Sequence, residues 1–350
     1  MLLGIEIGGT KLQLAVAKRP GDEPITVERV EVDAPAGAKG ILERIAWLAP
    51  RLVGRHAVTH VGCGFVGSVE ASTGTVIKSH QIDGWDDFPL ADWLEQTTER
   101  PAAVANDCNL SALAEARCGA GVGYRRVLYV TVGTGVGGGL VIDGELYAPD
   151  SRAVCEIGHL RPGLSSDRPE LTVEAIASGW GIAAEAQDLI SGESAAAVRL
   201  LRSRDSGDRT AGAESTTGPP NESVHDEFIS DLLSRCGHTV EWLTAKMVGH
   251  AAREGNGLAQ DVIERAVTAL GWAIAQTVTI TAADRVIVGG GVSLLGEVLF
   301  FTPLREAIDR YLFPPLMGTF DVVDAALGEL VTVQGALCLA DDLRRRQEAG

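Results

Sequence analysis

Three clusters of glycine residues are the first features of the sequence that could do chemistry. They are Gly8-Gly9-Thr10-Lys11, Gly133-Thr134-Gly135 and Gly289-Gly290-Gly291. A glycine-rich turn leaves backbone N–H groups free to bind phosphate oxygens, and the hydroxyl of Thr134 adds a further donor. The third cluster follows an apolar segment, where an open backbone suits an adenine ring and its ribose. Glycines that only permit tight turns or close packing are the alternative, but three such clusters favour a site for a nucleotide.

The second cluster also matches a different nucleotide-binding pattern. Residues 133–138 fit G-x-G-x-x-G, and Glu156 lies about twenty residues further on, where dinucleotide-binding folds place an acid for the ribose. That pattern must open a helix, whereas here an apolar segment and the turn Asp143-Gly144 follow it. We therefore prefer a nucleotide-binding hairpin, and a nicotinamide-dependent oxidoreductase is supported by this match alone.

Two acidic residues could act on a nucleotide held by these turns. Asp107, in Asn106-Asp107, follows a short predicted strand and precedes a helix. It is the best candidate in the chain for the base that phosphoryl transfer needs, although Asn and Asp are also common helix N-caps. Glu6 stands beside the first glycine cluster and could hold Mg²⁺ through water, since this ion keeps much of its hydration. The alternative for Glu6 is an ordinary carboxylate at a strand edge.

A second group of polar residues could bind a ligand with many hydroxyl groups. Glu156 and His159 follow the second glycine cluster, and Glu174 lies a little further along the chain. Two acids and a histidine can line the wall of such a pocket. Scattered surface charges are an equally good explanation when these three residues are considered alone.

The apolar pattern predicts two similar units that could bring these residues together. Alternating apolar residues predict a strand, a glycine turn and a second strand over 2–17, and again over 127–142. Further strands are predicted at 27–32, 58–66, 102–105 and 285–288, and helices at 41–52, 90–97, 109–118, 183–190, 228–233, 240–253, 262–275 and 333–346. Such alternation is typical of α/β proteins, so we infer two related α/β halves that face each other across a cleft.

The composition limits the partners and the environment. A chain of 350 residues is long enough for about two domains, and 30 Lys and Arg against 47 Asp and Glu leave a formal net charge of −17. That charge argues against nucleic acid or an anionic membrane surface as a partner. With no Cys-x-x-Cys pair and no signal peptide at residues 1–4, we expect free thiols in the cytoplasm. The uncharged segment 266–283 contains Gln276 and several threonines, which favours a buried helix that continues into a strand over a membrane span.

Six motifs, taken in order along the chain, resemble the ROK family of repressors, open reading frames and sugar kinases. The resemblance covers nearly the whole chain except residues 203–223, and six ordered motifs are far more specific than any one of them. The motifs are Gly4-Ile5-Glu6-Ile7-Gly8-Gly9-Thr10-Lys11, Asn106-Asp107 followed by Leu113-Ala114-Glu115, Thr131-Val132-Gly133-Thr134-Gly135-Val136-Gly137-Gly138-Gly139, Glu156-Ile157-Gly158-His159, Glu174-Ala175-Ile176-Ala177-Ser178-Gly179 and Val288-Gly289-Gly290-Gly291-Val292.

The resemblance implies the two-lobed actin-like ATPase (ribonuclease H-like) fold that hexokinases share, with a central cleft. The expected small lobe comprises residues 1–117 and is completed by a C-terminal helix at 329–350, and the larger lobe comprises residues 118–328. Residues 203–223 are rich in Ser, Gly, Asp, Thr and Pro, so we expect a flexible insertion there. The resemblance also implies that the lobes close on a sugar and that the protein forms a homodimer.

The resemblance assigns the candidate residues to an ATP-dependent sugar kinase. Asp107 is the expected catalytic base, which takes the proton from a sugar hydroxyl, and Glu6 is the expected Mg²⁺ site. The expected sugar-binding residues are Gly67, Asn106, Asp107, Glu156, His159 and Glu174, and the expected ATP-binding residues are Gly9, Thr10, Lys11, Gly133, Thr134, Gly135, Gly290 and Gly291. Glucose, converted to glucose 6-phosphate, is the default substrate, with an N-acetylhexosamine or fructose as alternatives. The phosphoryl donor, ATP or polyphosphate, stays open.

Three departures from the family pattern qualify these expectations. Most members hold a structural zinc with the His of the E-x-G-H motif and three cysteines that follow it, but residues 160–173 contain no cysteine, so we expect no zinc. Glu6 replaces the commoner Asp and is longer by one methylene. His80-Gln81 stands where the family usually shows Pro-Asn, and Gln81 in place of a sugar-contacting Asn leaves the identity of the sugar open.

A sugar-sensing regulator is the second functional hypothesis. Family repressors carry a DNA-binding helix-turn-helix ahead of the first hairpin, which here begins at Leu3, and the net charge of −17 disfavours DNA. We therefore expect no DNA-binding domain. A regulator that acts through a protein partner would bind sugar without ATP turnover.

Overall fold

Two five-stranded sheets organise the part of the chain that the computed structural model describes, residues 1–79, 82–149, 153–163, 168–192 and 222–349. The described strands are β1 (Leu2–Ile7), β2 (Lys11–Ala17), β3 (Thr26–Glu31), β4 (His60–Phe65), β5 (Ser68–Glu70), β6 (Thr75–Lys78), β7 (Ala102–Asn106), β8 (Arg126–Val132), β9 (Val136–Ile142), β10 (Glu145–Leu146), β11 (Arg285–Gly289) and β12 (Asp321–Asp324). The first sheet has the order β3-β2-β1-β4-β7 and the second has the order β10-β9-β8-β11-β12. Strands β5 and β6 form a separate small hairpin.

The two large sheets have the same arrangement of strand directions. In each, an antiparallel hairpin (β1–β2 or β8–β9) carries a third antiparallel strand on one side and two parallel strands on the other. The repeated pattern of strand, glycine turn and strand in the sequence therefore marks the central hairpin of each sheet. Both central strands are almost fully buried, which explains their nearly continuous apolar sequence.

Ten helices lie within the described ranges. They are α1 (Gly37–His56), α2 (Leu90–Thr98), α3 (Asp107–Cys118), α4 (Val173–Ala177), α5 (Gly179–Ser191), α6 (Glu222–Arg235), α7 (Ala245–Arg253), α8 (Gly257–Thr281), α9 (Thr302–Tyr311) and α10 (Val331–Ala349). Side chains placed one residue ahead of a helix cap several of them: Thr172, Ser178, Thr244 and Asn256 accept hydrogen bonds from backbone N–H groups in the first turn. Because Thr244 caps α7, the helix predicted over 240–253 is divided into a 3₁₀ turn at Val240–Trp242 and α7.

The predicted strands and helices are present in the structure. Most of the elements that the sequence pattern does not predict are short. Strands β5, β6, β10 and β12 have two to four residues, and α4 has five. Helix α9 carries a signal that sequence analysis could have used, a proline at its start followed by apolar residues on one face. The insertion predicted at 203–223 lies almost entirely outside the described residues, which resume with α6.

Helix α8 includes most of the uncharged segment 266–283, and β11 follows soon after it, as expected. Most buried apolar residues of α8 belong to the larger of the two main apolar cores, which surrounds the second sheet. None of the described helices is long and apolar enough to cross a membrane.

The C-terminal helix α10 packs against the first sheet. It contacts β1, β4 and β7 on one side and α3 on another, so it lies beside the strands that begin the chain. A second apolar core surrounds the first sheet, with α1 and α2 on its other side. The lobe boundaries at 117/118 and 328/329 stay a prediction.

Glycines allow α10 to approach its neighbours closely. A Cβ atom at Gly335 would clash with the carbonyl oxygen of Leu110 in α3, and one at Gly62 in β4 would clash with the carbonyl oxygen of Ala336. These contacts involve backbone atoms that cannot rotate away. The junction of α3, α10 and the first sheet therefore depends on the absence of side chains at these positions.

Replacing Gly335 by Ala should lower the free energy of unfolding by about 2 kcal/mol or more, because an added methyl group has no space. Gly54→Ala is the matched control. Gly54 lies in α1 with no atom within 4 Å of an added Cβ, so this change should raise the stability by up to about 1 kcal/mol. Urea unfolding measured by circular dichroism tests both, and an equal effect of the two changes would contradict the packing argument.

Candidate active site

One large cavity of about 1200 Å³ brings the predicted site residues together. It is lined by the turn between β1 and β2, the junction of β7 and α3, the turn between β8 and β9, the segment after β11 and the start of α10. The predicted residues that line it are Glu6, Gly9, Thr10, Lys11, Gly67, Asn106, Asp107, Gly133, Thr134, Gly135, Glu156, His159, Glu174, Gly290 and Gly291. Both sheets therefore contribute to a single site.

Glu6 lies near the end of β1 and is buried, with 7% of its surface exposed. Its Oε2 accepts a hydrogen bond of 2.7 Å from Nε2 of Gln13, and its Oε1 lies 3.7 Å from Nζ of Lys11. Burial raises the pKa of the Glu6 carboxyl, and the charge of Lys11 only partly opposes this. The contacts with Lys11 and Gln13 therefore do not fully offset the unfavourable burial of the negative charge of Glu6.

Asn106 performs the capping role that the sequence left open for either residue of the Asn106-Asp107 pair. It is the last residue of β7, and its Oδ1 accepts hydrogen bonds from the N–H groups of Cys108 and Asn109, at 2.9 and 3.1 Å. Its Nδ2 donates to the carbonyl oxygen of Gly67 and to Oδ1 of Asp107, both at 3.1 Å. Asn106 thus caps α3 and also orients Asp107.

Asp107 is the first residue of α3 and faces the cavity. Its burial raises the pKa of its carboxyl to about 6, and the negative charge of Glu6 adds to this effect. The N–H of Cys108, which donates to Oδ1 at 3.0 Å, opposes it. At neutral pH the group is mostly ionised, and it is a stronger base than an ordinary aspartate.

The glycine-rich segment 133–139 contains the second glycine cluster and further glycines that lie in β9. Gly133 and Gly135 close the turn between β8 and β9 through a hydrogen bond of 2.9 Å from the N–H of Gly133 to the carbonyl of Gly135. The later glycines lie inside β9, where an added Cβ would meet α3: Cys108 Sγ at Gly137 and Ala112 at Gly139. Close packing therefore explains Gly139, whereas Gly137 packs against α3 and also lines the cavity together with the turn.

Glu174 holds this turn in place. Its Oε2 accepts a hydrogen bond of 2.9 Å from the N–H of Val136, directly after the turn. The N–H of Gly179 donates to the carbonyl of Gly133 at 2.8 Å, so the segment around α4 and α5 supports the turn from one side. Glu174 was predicted to bind sugar, and the structure adds this structural contact to its position in the cavity wall.

The third glycine cluster lies next to the second. Gly290 has a φ angle of +94°, and an added Cβ would clash with the backbone of Val132 at the end of β8. The N–H of Val292 donates to the carbonyl of Val132 at 3.0 Å. Gly291 faces open space. The ends of β8 and β11 therefore place two predicted nucleotide-binding segments side by side.

Glu156 and His159 belong to a short turn that begins after Cys155. The 3₁₀ turn Ile157–His159 follows Glu156, and the N–H of His159 donates to the carbonyl of Glu156 at 3.0 Å. Burial raises the pKa of the Glu156 carboxyl, and the charge of Glu174 adds to this while His159 opposes it. Glu156 and Glu174 thus affect each other electrostatically on one wall of the cavity.

Arg161 and a main-chain hydrogen bond hold the segment that follows His159. The N–H of Val173 donates to the carbonyl of Leu160 at 2.8 Å, and Nε of Arg161 donates to the carbonyl of Pro169 at 2.8 Å. Residues 164–167 lie outside the described residues, as do His80 and Gln81 at the predicted sugar-contacting position. Within the described ranges, no three His, Cys, Asp or Glu side chains form a group that could hold a metal ion, and the described cysteines are unpaired.

Several residues of the site are not among those that the sequence predicts. Cys108 and Ser111 line the cavity directly after Asp107 and four residues after it. The spacing of four residues places Ser111 on the same helix face as Asp107 and could have identified it, whereas Cys108 has no such signal. Glu329 lines it from the turn before α10, far away in sequence. Gln13 contacts Glu6 from inside β2, and its only signal in the sequence is a polar residue in an otherwise apolar strand.

Two sheets of the same topology, with their hairpin turns around one cavity, define the actin-like ATPase (ribonuclease H-like) fold. A sequence model of the ROK family matches residues 2–343, and the chain belongs to the ROK family. The resemblance of the six motifs and the predicted two-lobed α/β fold are thereby confirmed.

Relatives of known activity span nearly the whole chain. A glucokinase of Thermotoga maritima is 29% identical over 339 residues, which cover 96% of this chain and 95% of that protein. An N-acetylgalactosamine kinase of Shewanella sp. (strain ANA-3) is 29% identical over 349 residues, which cover 98% of this chain and 97% of that protein. The crystal structure of a ROK family glucokinase from Streptomyces griseus in complex with glucose and AMPPNP matches with a TM-score of 0.74 and 28% identity, covering 97% of this chain and 99% of that chain.

Asp107→Asn should stabilise the protein at pH 8 by about 1–2 kcal/mol, less than full conversion of the pKa shift because the carboxyl faces an open cavity. The pKa of this carboxyl is about 6 in the folded protein against an ordinary 3.8, so the native state binds the proton more tightly. The wild-type side chain therefore disfavours folding above pH 6, and this disadvantage disappears as the pH falls toward 3.8.

Urea unfolding of both proteins at pH 8, 6 and 4.5 measures this difference. Asp309→Asn is the control, because Asp309 is exposed on α9 and lies away from the cavity. The gain for Asp107→Asn should shrink steadily toward pH 4.5 and should be absent for the control. A gain independent of pH would show that burial of charge is not its cause.

Proposed function

We propose that this protein is a sugar kinase that transfers the γ-phosphoryl group of ATP to a hydroxyl of a hexose, with glucose to glucose 6-phosphate as the default reaction. The observation that carries the proposal is the position of Asp107, a carboxylate of raised pKa, in a cavity that three glycine segments also line. Glucokinases among the relatives that span the whole chain support the same class of reaction.

Asp107 is the proposed catalytic base. Phosphoryl transfer requires little covalent chemistry from the protein beyond orienting the attacking hydroxyl and accepting its proton. A carboxylate with a pKa of about 6 accepts that proton more readily than an ordinary aspartate and is still ionised at neutral pH. Asn106 fixes Oδ1 of Asp107 by a hydrogen bond of 3.1 Å and keeps the base directed into the cavity.

The glycine segments are the proposed nucleotide site. The turn between β8 and β9, the turn after β1 and the segment after β11 all reach the cavity, and Thr10 and Thr134 add exposed hydroxyl donors. Gly133 and Gly291 have open space where a side chain would otherwise stand, so a ligand can approach the backbone closely at both positions. Lys11 adds a positive charge at the first turn.

The charge of the cavity requires a cation to accompany ATP. Its lining includes two Lys or Arg residues, Lys11 and Arg346, against the acids Glu6, Asp107, Glu145, Glu156, Glu174, Asp324, Glu329 and Asp342. A polyphosphate would be repelled by such a surface unless a divalent ion reduced its charge. Mg²⁺ prefers oxygen ligands and water, so the under-compensated carboxylate of Glu6 fits it. Glu6 would hold Mg²⁺ through water, and the bound ion would supply positive charge that offsets the negative charge of the phosphates.

The proposed sugar site lies in the same cavity, next to the nucleotide site. Gly67 and Asn106 are linked by a hydrogen bond beside the base, and Glu156, His159 and Glu174 face the same cavity. Carboxylates and a histidine accept and donate hydrogen bonds to sugar hydroxyls in several directions. An N-acetylhexosamine is the second candidate substrate, because an N-acetylgalactosamine kinase is as similar in sequence as the glucokinase. A homodimer and a cytoplasmic location stay predictions.

Asp107→Asn should reduce kcat by about a factor of 10³ while the dissociation constant of the sugar changes little, because the amide keeps the shape but cannot accept the proton. In the wild type, kcat/KM should fall about tenfold per unit as the pH drops below about 6, since the base must be ionised. Coupled ADP release and calorimetric titration of the sugar measure the two effects. Near wild-type turnover of the variant would refute the assignment of the base.

A panel of sugars with Mg·ATP tests the substrate. Glucose should give the highest kcat/KM for ADP release among glucose, fructose, N-acetylglucosamine, N-acetylgalactosamine and N-acetylmannosamine, with Asp107→Asn as the inactive control. Polyphosphate in place of ATP tests the donor. An N-acetylhexosamine preferred over glucose would correct the substrate, and sugar binding without any ADP release would favour a regulator instead.

A further inference from the structure

Gln13 is a fully buried polar residue in the middle of β2. It stands directly opposite Glu6 in the antiparallel pairing of β1 and β2, on the same face of the sheet. The residues on either side of it, Leu12 and Leu14, are apolar and buried. An amide at this position therefore needs an explanation other than filling the core.

Both donor hydrogens of the Gln13 amide can be used at once. Nε2 donates to Oε2 of Glu6 at 2.7 Å and to the carbonyl oxygen of Glu329 at 3.1 Å. Since both acceptors are oxygens that carry no hydrogen, the orientation of the amide is fixed. The Gln13 Oε1 atom is buried without a hydrogen-bond partner among the described residues. An unsatisfied buried acceptor disfavours folding, so a purely stabilising role is a poor explanation for Gln13.

The hydrogen bond from Gln13 to Oε2 fixes the orientation of the Glu6 carboxylate and therefore the position of its other oxygen, Oε1. Oε1 lies 3.7 Å from the position that a Cβ atom would take at Gly8, and 3.7 Å from Nζ of Lys11. It therefore faces the first glycine turn, where the phosphates are proposed to bind. A glutamate side chain has several rotatable bonds, so without the contact to Gln13 this orientation would have to be selected from many others.

The carbonyl of Glu329 connects this arrangement to α10. Nζ of Lys11 also donates to it, at 3.3 Å, so two residues of β2 share one acceptor in the turn before the helix. Arg29 of β3 forms an ion pair of 3.0 Å with the side chain of Glu329. The position of Gln13 is thus fixed from the far end of the chain.

We propose that Gln13 is a positioning residue for the metal site: it holds Glu6 by Oε2 so that Oε1 faces the hydrated Mg²⁺ of the Mg·ATP complex. This inference rests on the proposed kinase function. A neutral amide suits the task because it orients the carboxylate without adding a second positive charge to that of Lys11, which already lies 3.7 Å from Oε1. The longer side chain of Glu6, compared with Asp, is what brings its carboxylate within reach of Gln13.

The test measures Mn²⁺ binding to the protein with AMPPNP by electron paramagnetic resonance, in the wild type and in Gln13→Met. Methionine keeps the length and approximate volume of the side chain but cannot donate. Loss of a hydrogen bond to a charged group should raise the Mn²⁺ dissociation constant about tenfold and leave the sugar affinity unchanged. An unchanged Mn²⁺ affinity in Gln13→Met would overturn the inference.

Glu6→Asp and the double variant test whether Gln13 acts through Glu6. An aspartate is shorter by about 1.5 Å, which takes its carboxylate out of hydrogen-bond reach of Gln13. Glu6→Asp should therefore weaken Mn²⁺ binding, and Gln13→Met should weaken it no further in that background. Additive effects of the two changes would show that Gln13 acts by another route.

Gln334→Met is the matched control for a merely structural effect. Gln334 is also a buried glutamine, and it links α10 to the segment after β2 by two hydrogen bonds, at 3.0 Å from Gly21 and 3.1 Å to Asp22. It does not line the cavity. Both methionine variants should lower the melting temperature, but only Gln13→Met should weaken Mn²⁺ binding.

The failure of the inference and that of the proposed function are distinguishable. A wild type that binds Mn²⁺·AMPPNP and phosphorylates a sugar, together with a Gln13→Met variant of equal Mn²⁺ affinity, overturns the inference alone. A wild type that neither retains Mn²⁺ with AMPPNP nor phosphorylates any sugar overturns both.

Discussion

The proposed site depends on keeping negative charge inside a cavity that, in the proposed reaction, must also receive a polyanion. Glu6 and Asp107 come from different elements, yet the charge of Glu6 contributes to the raised pKa of Asp107. Burial adds to this effect because it removes the water that would stabilise both carboxylates. Two buried carboxylates make the free energy of folding of the free protein less favourable. A bound cation would reduce this unfavourable contribution. The same excess of acid that disfavours folding would therefore favour binding of the proposed metal–nucleotide complex.

The start of α3 shows which electrostatic effect dominates. A helix N-terminus and the N–H of Cys108 both stabilise a carboxylate, but the dipole contributes only about 0.3–1 kcal/mol. The pKa of Asp107 nevertheless rises from 3.8 to about 6, which corresponds to about 3 kcal/mol in the opposite direction. Burial and the nearby Glu6 therefore dominate. Because the side chain of Asn106 caps the helix, the carboxylate of Asp107 is not needed as the N-cap and can act as a base.

Sequence alone could predict those parts of the fold and site that depend on local pattern. The central hairpin of each sheet follows from alternating apolar residues around a glycine turn, and the Asn106-Asp107 junction follows from a strand that runs into a helix. Contacts between distant segments could not be predicted in this way. The carbonyl of Glu329 reaches Gln13 across 316 positions, and only the folded chain brings them together.

The glycine run after β8 shows why composition cannot separate binding from packing. Gly135 stands in a turn that lines the cavity, Gly139 makes room for α3, and Gly137 does both. Both requirements are steric, so they select the same residue type in one continuous segment. The two requirements are also connected, because the helix that packs on these glycines is the one that begins with Asp107. A larger residue at Gly139, which does not line the cavity, would therefore displace the proposed base without touching any ligand.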